Sequence, residues 1–206
     1  MLRLAGLLFL SALVAGCAPA PQKMSEASRK AIRSTVLRID PANPATLYYV
    51  GPGDSTGGLF GAVGAIVTNP AREESRSTFR NFVEKNGISI EKIVREEFSA
   101  ALRRSGKLLI AEAAGPGVAT LNITIRQYGL TIPNAFYSTL VPLLSLTCEM
   151  ADDSGKSVWS GSDRLSSVGN PIEAIAVEKF RSDPGAVEGA WRAAAKHVAA
   201  NIVGQL

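Results

Sequence analysis

The chain has 206 residues, two cysteines, one histidine and a formal net charge of +4. That length suffices for one domain with a substantial core. The small positive charge is interleaved with acids, as in Arg72-Glu73-Glu74 and Arg95-Glu96-Glu97, which excludes the basic stripe of a nucleic-acid binder.

The first elements are an early Arg3, an apolar stretch over residues 4–14, then the small pair Ala15-Gly16 and Cys17. The apolar stretch is shorter than the roughly 20 residues that a spanning helix needs. It has the length of the apolar core of a signal peptide. The run Leu13-Val14-Ala15-Gly16-Cys17 resembles the lipobox of bacterial lipoproteins. That resemblance implies cleavage after residue 16, acylation of Cys17 and anchoring without a span. Ala18 follows the cysteine, where Asp favours inner-membrane retention in enterobacterial lipoproteins. Its absence implies an outer-membrane address facing the periplasm. With Cys17 acylated, Cys148 has no partner in the chain, so the domain must hold without a disulfide.

Residues 17–33 then read as an acylated N-terminus and a flexible tether, and residues 34–206 as a single domain. Residues 35–40 alternate and end at Pro41, which predicts a strand, and 46–50 predict a second short one. Gly51-Pro52-Gly53-Asp54 breaks the chain. Residues 57–67 are apolar and rich in Gly and Ala. Two readings stand for them: a segment packed on the domain, or an apolar flap formed by Leu59, Phe60, Val63 and Ile66 that contacts a membrane or partner. Residues 72–85 predict a helix with Phe79, Phe82 and Val83 on one side, stopped at Asn86-Gly87. Ser89 caps the next helix, whose stripe is Ile90, Ile93, Val94, Phe98, Ala101 and Leu102.

Residues 107–112 predict a short strand, and residues 118–131 a long one with Leu121, Ile123 and Ile125 on one face. Residues 141–151 and 156–165 predict a hairpin through the turn Asp152-Asp153-Ser154-Gly155. Pairing Ala151 with Lys156 sets Cys148 opposite Trp159, with Leu146, Cys148, Met150 and Trp159 on one face. Residues 185–203 predict a final helix with Val187, Ala190, Trp191, Ala194, Ala195, Val198 and Ile202 on its buried side. This order fits an α+β two-layer domain, a mixed or antiparallel sheet with helices packed on one face.

The segments VLRID and LYYVGPG, the unit VREEFSAALRRSGKLLIAE, the strand LNITIRQYGL and the Ala-rich last helix resemble small envelope lipoproteins. Their domains are similar to the N-terminal domain of TolB and to the periplasmic domain of curli-assembly lipoproteins. The group includes transport auxiliaries and cell-wall synthase activators. The resemblance implies an envelope protein partner in addition to the membrane, and no cofactor.

No C-x-x-C or H-E-x-x-H pattern occurs. His197 falls on the polar side of the last helix, and Cys148 on an apolar strand face, where it acts as a small hydrophobe. Asp152 and Asp153 are turn residues without the spacing of a calcium loop, so no metal site is expected. The expected contact surface combines Tyr48 and Tyr49, which precede the glycine break, with Leu59, Phe60, Val63 and Ile66. Phe136 and Tyr137 join it as the tip between two strands, with capping of the core as the other reading. The expectation is a non-enzymatic assembly or accessory subunit. The alternative is an auxiliary of lipid or small-molecule transport that binds an apolar ligand between helix and sheet.

Overall fold

A computed structural model describes residues 21–50, 70–133 and 138–206. Cys17, the segment 51–69 and the tip 134–137 lie outside the described residues. In chain order the elements are α1 (Glu26–Ala31), β1 (Ser34–Ile39), a 3₁₀ turn (Pro44–Thr46), β2 (Leu47–Val50), α2 (Pro70–Lys85), α3 (Ile90–Ser105), β3 (Leu109–Ile110), β4 (Val118–Thr131), β5 (Thr139–Ala151), β6 (Ser157–Leu165), β7 (Ile175–Ala176), α4 (Val177–Ser182) and α5 (Pro184–Gly204).

The strands form one mixed sheet in the order β3-β1-β4-β5-β6, with β2 also on β4 and β7 on β5. The pairs of β1 with β3, β1 with β4, and β2 with β4 are parallel, and those of β5 with β4, β6 and β7 are antiparallel. The helices α3 and α5 pack on each other and on one face, which makes the domain α+β in two layers. The buried face of β4 carries Leu121, Ile123 and Ile125, and that of β5 carries Leu144, Leu146, Cys148 and Met150. Against them lies the stripe of α5, in which Val187, Trp191, Ala194, Ala195, Val198 and Ile202 are fully buried. The small alanines let the helix backbone lie close to the sheet.

Local chemistry sets the helix ends. The Ser89 hydroxyl accepts from the Lys92 amide to start α3, and Asp183 accepts from the Gly185 amide to start α5, with Pro184 in the first turn. The C-terminal carbonyls of α5 at Val203 and Gly204 accept from Lys107 Nζ at 3.1 and 2.8 Å. This supplies both a hydrogen bond and a positive charge where the helix dipole is negative.

Two expectations need correction. The hairpin pairs Met150 with Trp159 and Cys148 with Gly161, two residues away from the register read from sequence. The turn does close between Asp152 and Lys156, where the Asp152 amide donates to the Lys156 carbonyl. Ala151 then pairs with Ser157, and an irregularity between Met150 and Ala151 takes up Val158 as an extra residue. The displacement for Cys148 is an even number, so Leu146, Cys148, Met150 and Trp159 still share the buried face. Gly161 is required by this arrangement. A Cβ there would lie 2.5 Å from Trp159 Cζ2 and 2.8 Å from Gln205 Oε1, so the bare backbone makes room for the indole.

The second correction concerns the start of the domain. Residues 22–32, read as tether, are held against the sheet. Gln22 O accepts from the Ser160 amide at 3.0 Å, and Gln22 N donates to Ser160 Oγ at 2.9 Å. Met24 and Ile32 are buried, and α1 lies between them, capped by Ser25. Two buried apolar side chains and an unpaired strand edge explain why this polar-looking stretch does not stay in solvent.

Burial pushes the Cys148 thiol up to about 12 from an ordinary 9.0. The native fold therefore favours the protonated thiol. That contribution to stability is complete below pH 9 and is lost as pH rises from 9 towards about 12. We predict that a thiol reagent at pH 8 labels Cys148 slowly in the folded protein and rapidly in denaturant. Fast labelling of the folded chain would contradict the burial of this strand face.

Candidate contact surface

The contact residues expected from sequence begin at β2. This strand lies parallel to residues 128–131 of β4, with Tyr48 beside Gly129. The approach is so close that a Cβ on Gly129 would lie 1.8 Å from the Tyr48 carbonyl oxygen. Strand alternation then separates the two tyrosines. Tyr48 turns to the other face of the sheet from Tyr49 and is 38 % exposed. Tyr49 turns inward, with its ring 4.9 Å from Phe79 and 5.8 Å from Phe180. Of the expected surface, the structure therefore leaves Tyr48 facing solvent and takes Tyr49 into an aromatic cluster. Leu59, Phe60, Val63, Ile66, Phe136 and Tyr137 lie outside the described residues.

That cluster is the most distinctive feature among the described residues. Phe180 also packs on Phe79 at 5.6 Å and on Phe82 at 5.5 Å, and Phe79 meets Trp191 edge-on at 5.9 Å. Tyr128 closes the inner side against Trp191 at 5.4 Å. Tilted and edge-to-face contacts at these separations are the favoured geometry of aromatic pairs. Burial raises the Tyr128 phenol above its ordinary range, and the Glu91 carboxylate adds to the rise. Outside the cluster runs an open cleft of about 370 Å³, lined by Tyr49, Phe79, Phe82 and Phe180 and rimmed by Glu74, Ser75 and Thr78. The spacing of Glu74, Thr78 and Phe82 at i, i+4 and i+8 puts all three on one side of α2.

Phe180 was not read from the sequence. Helix α4 has six residues, too few for a periodic stripe, and no side chain caps it. Its faint signal is Ile175, Val177 and Phe180, all buried.

Both tryptophans are buried in the core. Trp191 is fully buried, with its Nε1 donating to the Gly129 carbonyl at 2.9 Å. The Trp159 ring lies over Gly161.

Several other polar groups are engaged with their neighbours. Asp152 Oδ1 accepts from the Ser154 amide and hydroxyl and from the Lys156 amide, and the bond from the Ser154 side chain leads the causes that hold its carboxyl below the usual range. His197 Nε2 lies 3.1 Å from Asn201 Nδ2, which also donates to Asp163 Oδ2 at 2.9 Å. An amide nitrogen so placed makes Nε2 an acceptor and puts the ring proton on Nδ1. Arg192 joins α5 to α3 through Glu96 and Glu97 and pairs with Glu188 on its own helix, and these carboxylates hold its guanidinium protonated beyond the usual range.

Two short patterns with the form of catalytic motifs also occur. Gly53-Asp54-Ser55-Thr56-Gly57 has the form G-x-S-x-G and lies outside the described residues. Ser89-Ile90-Glu91-Lys92 has the form S-x-x-K, but its serine is the cap of α3 and donates to Glu91 Oε2 at 2.9 Å. Among the described residues, no group of three or more His, Cys, Asp or Glu side chains is placed to hold a metal, and no helix is long and apolar enough to cross a membrane.

No family model matches the chain, and no curated protein matches it significantly. Solved structures give weak likenesses. Protein XCC0632 from Xanthomonas campestris is 19 % identical over 55 % of this chain, with a TM-score of 0.39, and the match spans 58 % of that protein. PelC from Paraburkholderia phytofirmans, solved as a dodecamer, is 12 % identical over 90 % of this chain and 94 % of its own, with a TM-score of 0.40. A minor lipoprotein from Acinetobacter baumannii is 7 % identical over 84 % of this chain and 91 % of its own, with a TM-score of 0.36.

The opposite directions of Tyr48 and Tyr49 give a direct test. Tyr49→Ala is expected to cost about 2–3 kcal/mol, because it removes a ring packed on two others. Tyr48→Ala should change stability by less than about 0.5 kcal/mol. Urea melts of the two variants read the difference; equal losses would overturn the assignment of the two faces.

Proposed function

We propose that this chain is a membrane-anchored periplasmic lipoprotein that works by contact, as a non-enzymatic accessory subunit of an envelope complex on the outer membrane. The observation that carries this reading is the run Leu13-Val14-Ala15-Gly16-Cys17 ahead of an α+β domain. Cys17 is the acylated residue. Several acyl chains on one cysteine make a durable anchor, since each buried CH₂ contributes about 0.8 kcal/mol. The proposed contact surface is Tyr48 with Leu59, Phe60, Val63 and Ile66, and Phe136 with Tyr137 beside it. The hydrogen bonds of Asp152, Ser89 and Lys107 support a structural use of these groups rather than a chemical one.

Cys17→Ser should abolish incorporation of labelled palmitate and release the chain from the membrane fraction. Labelled palmitate entering that variant would show that another residue carries the anchor.

The aromatic cleft favours a second reading, an auxiliary of lipid or small-molecule transport that binds an apolar ligand. The cleft lies at the surface between α2, α4 and β2, not beneath the tryptophans. Its rings offer apolar area and its rim offers Glu74 and Thr78 to orient a polar end, the usual composition of a ligand site. In this reading a fluorescent fatty-acid probe binds the purified chain, and Phe82→Asp abolishes that binding while the circular dichroism spectrum stays native. Absence of saturable binding to the unaltered chain would remove this second reading.

A further inference from the structure

The last residue of the anchor and the first docked residue of the domain are very close in the chain. Cys17 and Gln22 are five residues apart. At no more than about 3.6 Å per residue, they can separate by about 18 Å. Gln22 is fastened to Ser160, near the start of β6. From there the chain passes through buried Met24, α1 and buried Ile32 into the start of β1. This end of the domain also holds the start of β4, the end of β5 and the turn of the hairpin. The longest strand, β4, has 14 residues, about 45 Å at about 3.3 Å each. A tether of about 18 Å pinned at one end of such a body cannot turn the other end to the membrane while the first points away.

The same end is basic. The docked segment 21–33 holds Lys23, Arg29, Lys30 and Arg33 against Glu26 alone, and Glu26 is paired with Lys30 at 2.7 Å. Arg103 and Arg104 lie in the last turn of α3, just before β3, which pairs with the start of β1. Lys156 follows the hairpin turn. Lys23, Arg29, Arg33, Arg103, Arg104 and Lys156 are all exposed. The acids that share this end are Glu112, Asp152, Asp153 and Glu149, the last opposite Ser160 on β5, and the two aspartates accept hydrogen bonds from the turn and from the Gly117 amide. Leu109, in the same region, is 72 % exposed. The opposite end carries Glu91, Glu173, Glu178 and Asp183 with Lys179, and α2, which packs on β2 there, holds Glu73, Glu74 and Glu84 beside Arg76, Arg80 and Lys85.

We propose that this basic end, where β1, β4 and β6 begin, is the membrane-facing end of the domain and rests on anionic lipid head groups, with Leu109 set into their apolar border. The proposal depends on the reading that Cys17 is acylated. It adds an orientation. The tether brings the end within one Debye length or two of the lipid phosphates, and each basic side chain near an anionic surface strengthens the contact. The aromatic cleft and the strand β2 then face away from the membrane, towards soluble partners or ligands.

The test uses the full acylated protein in phosphatidylglycerol vesicles that carry a head-group energy acceptor. A donor dye is placed at Glu112→Cys or at Lys179→Cys, while buried Cys148 stays unlabelled. The expected result is a loss of donor emission at position 112 that exceeds the loss at 179. The difference should shrink in phosphatidylcholine vesicles, at high salt, and with Arg29→Glu and Arg33→Glu together. Equal loss at both positions, or a greater loss at 179, overturns the orientation. A difference that is the same on neutral and anionic vesicles overturns the role of the head groups. A chain that does not float with the vesicles at all overturns the acylation reading, and the orientation falls with it.

Discussion

One buried hydrogen bond ties the two layers together where the molecule is most distinctive. The indole N–H of Trp191 donates to the carbonyl of Gly129. Trp191 belongs to the helix that covers the sheet, and Gly129 to the strand at its centre. With the indole fully buried, neither group has water as an alternative partner, so separating the layers would leave both unpaired. Gly129 does a second thing. With no side chain, it lets β2 approach within contact of β4, and β2 brings the tyrosines. The aromatic cluster is thus built outward from this bond: Trp191 against Phe79 and Tyr128, then Phe79 against Tyr49 and Phe180.

The two ends of the sheet have opposite characters. Beside the aromatic cleft α2 carries acids and bases in near balance, and acids outnumber bases around α4, while Arg192 gathers Glu96, Glu97 and Glu188 at the junction of α3 and α5. At the other end, basic side chains surround the C-terminus of α3, and Lys107 closes the C-terminus of α5. Helix dipoles favour this sorting, since both helices point their negative ends there. The proposed attitude of the domain towards an anionic surface rests on this sorting and on the short N-terminal segment.

Most of the elements could be read from the chain because their periodicities are long and clean. The stripe of α3 from Ile90 to Leu102, the alternation of β4 from Leu121 to Ile125 and the stripe of α5 from Val187 to Ile202 each repeat often enough to define a buried face. Short or irregular pieces were not legible in the same way. The docked segment 22–32 carries only Met24 and Ile32 as apolar signals, and α4 only a few residues. The hairpin register failed at one irregularity beside Val158, which no local propensity marks.

The sequence by itself determined the α+β class, the strands and helices of the core, the face on which Cys148 and Trp159 are buried, and the lipobox-like run at Cys17. These are matters of local spacing and of side-chain polarity. Only the tertiary structure decided which of two adjacent tyrosines stays outside, that Phe180 completes an aromatic cleft with residues from β2 and α2, and that Gln22 is fastened to β6. Each of those depends on groups distant in the chain: Gly129 beneath Tyr48, the packing of α4 against α2, and a strand edge with hydrogen bonds to offer. Such contacts are made between side chains brought together by folding, and no period in the sequence records them.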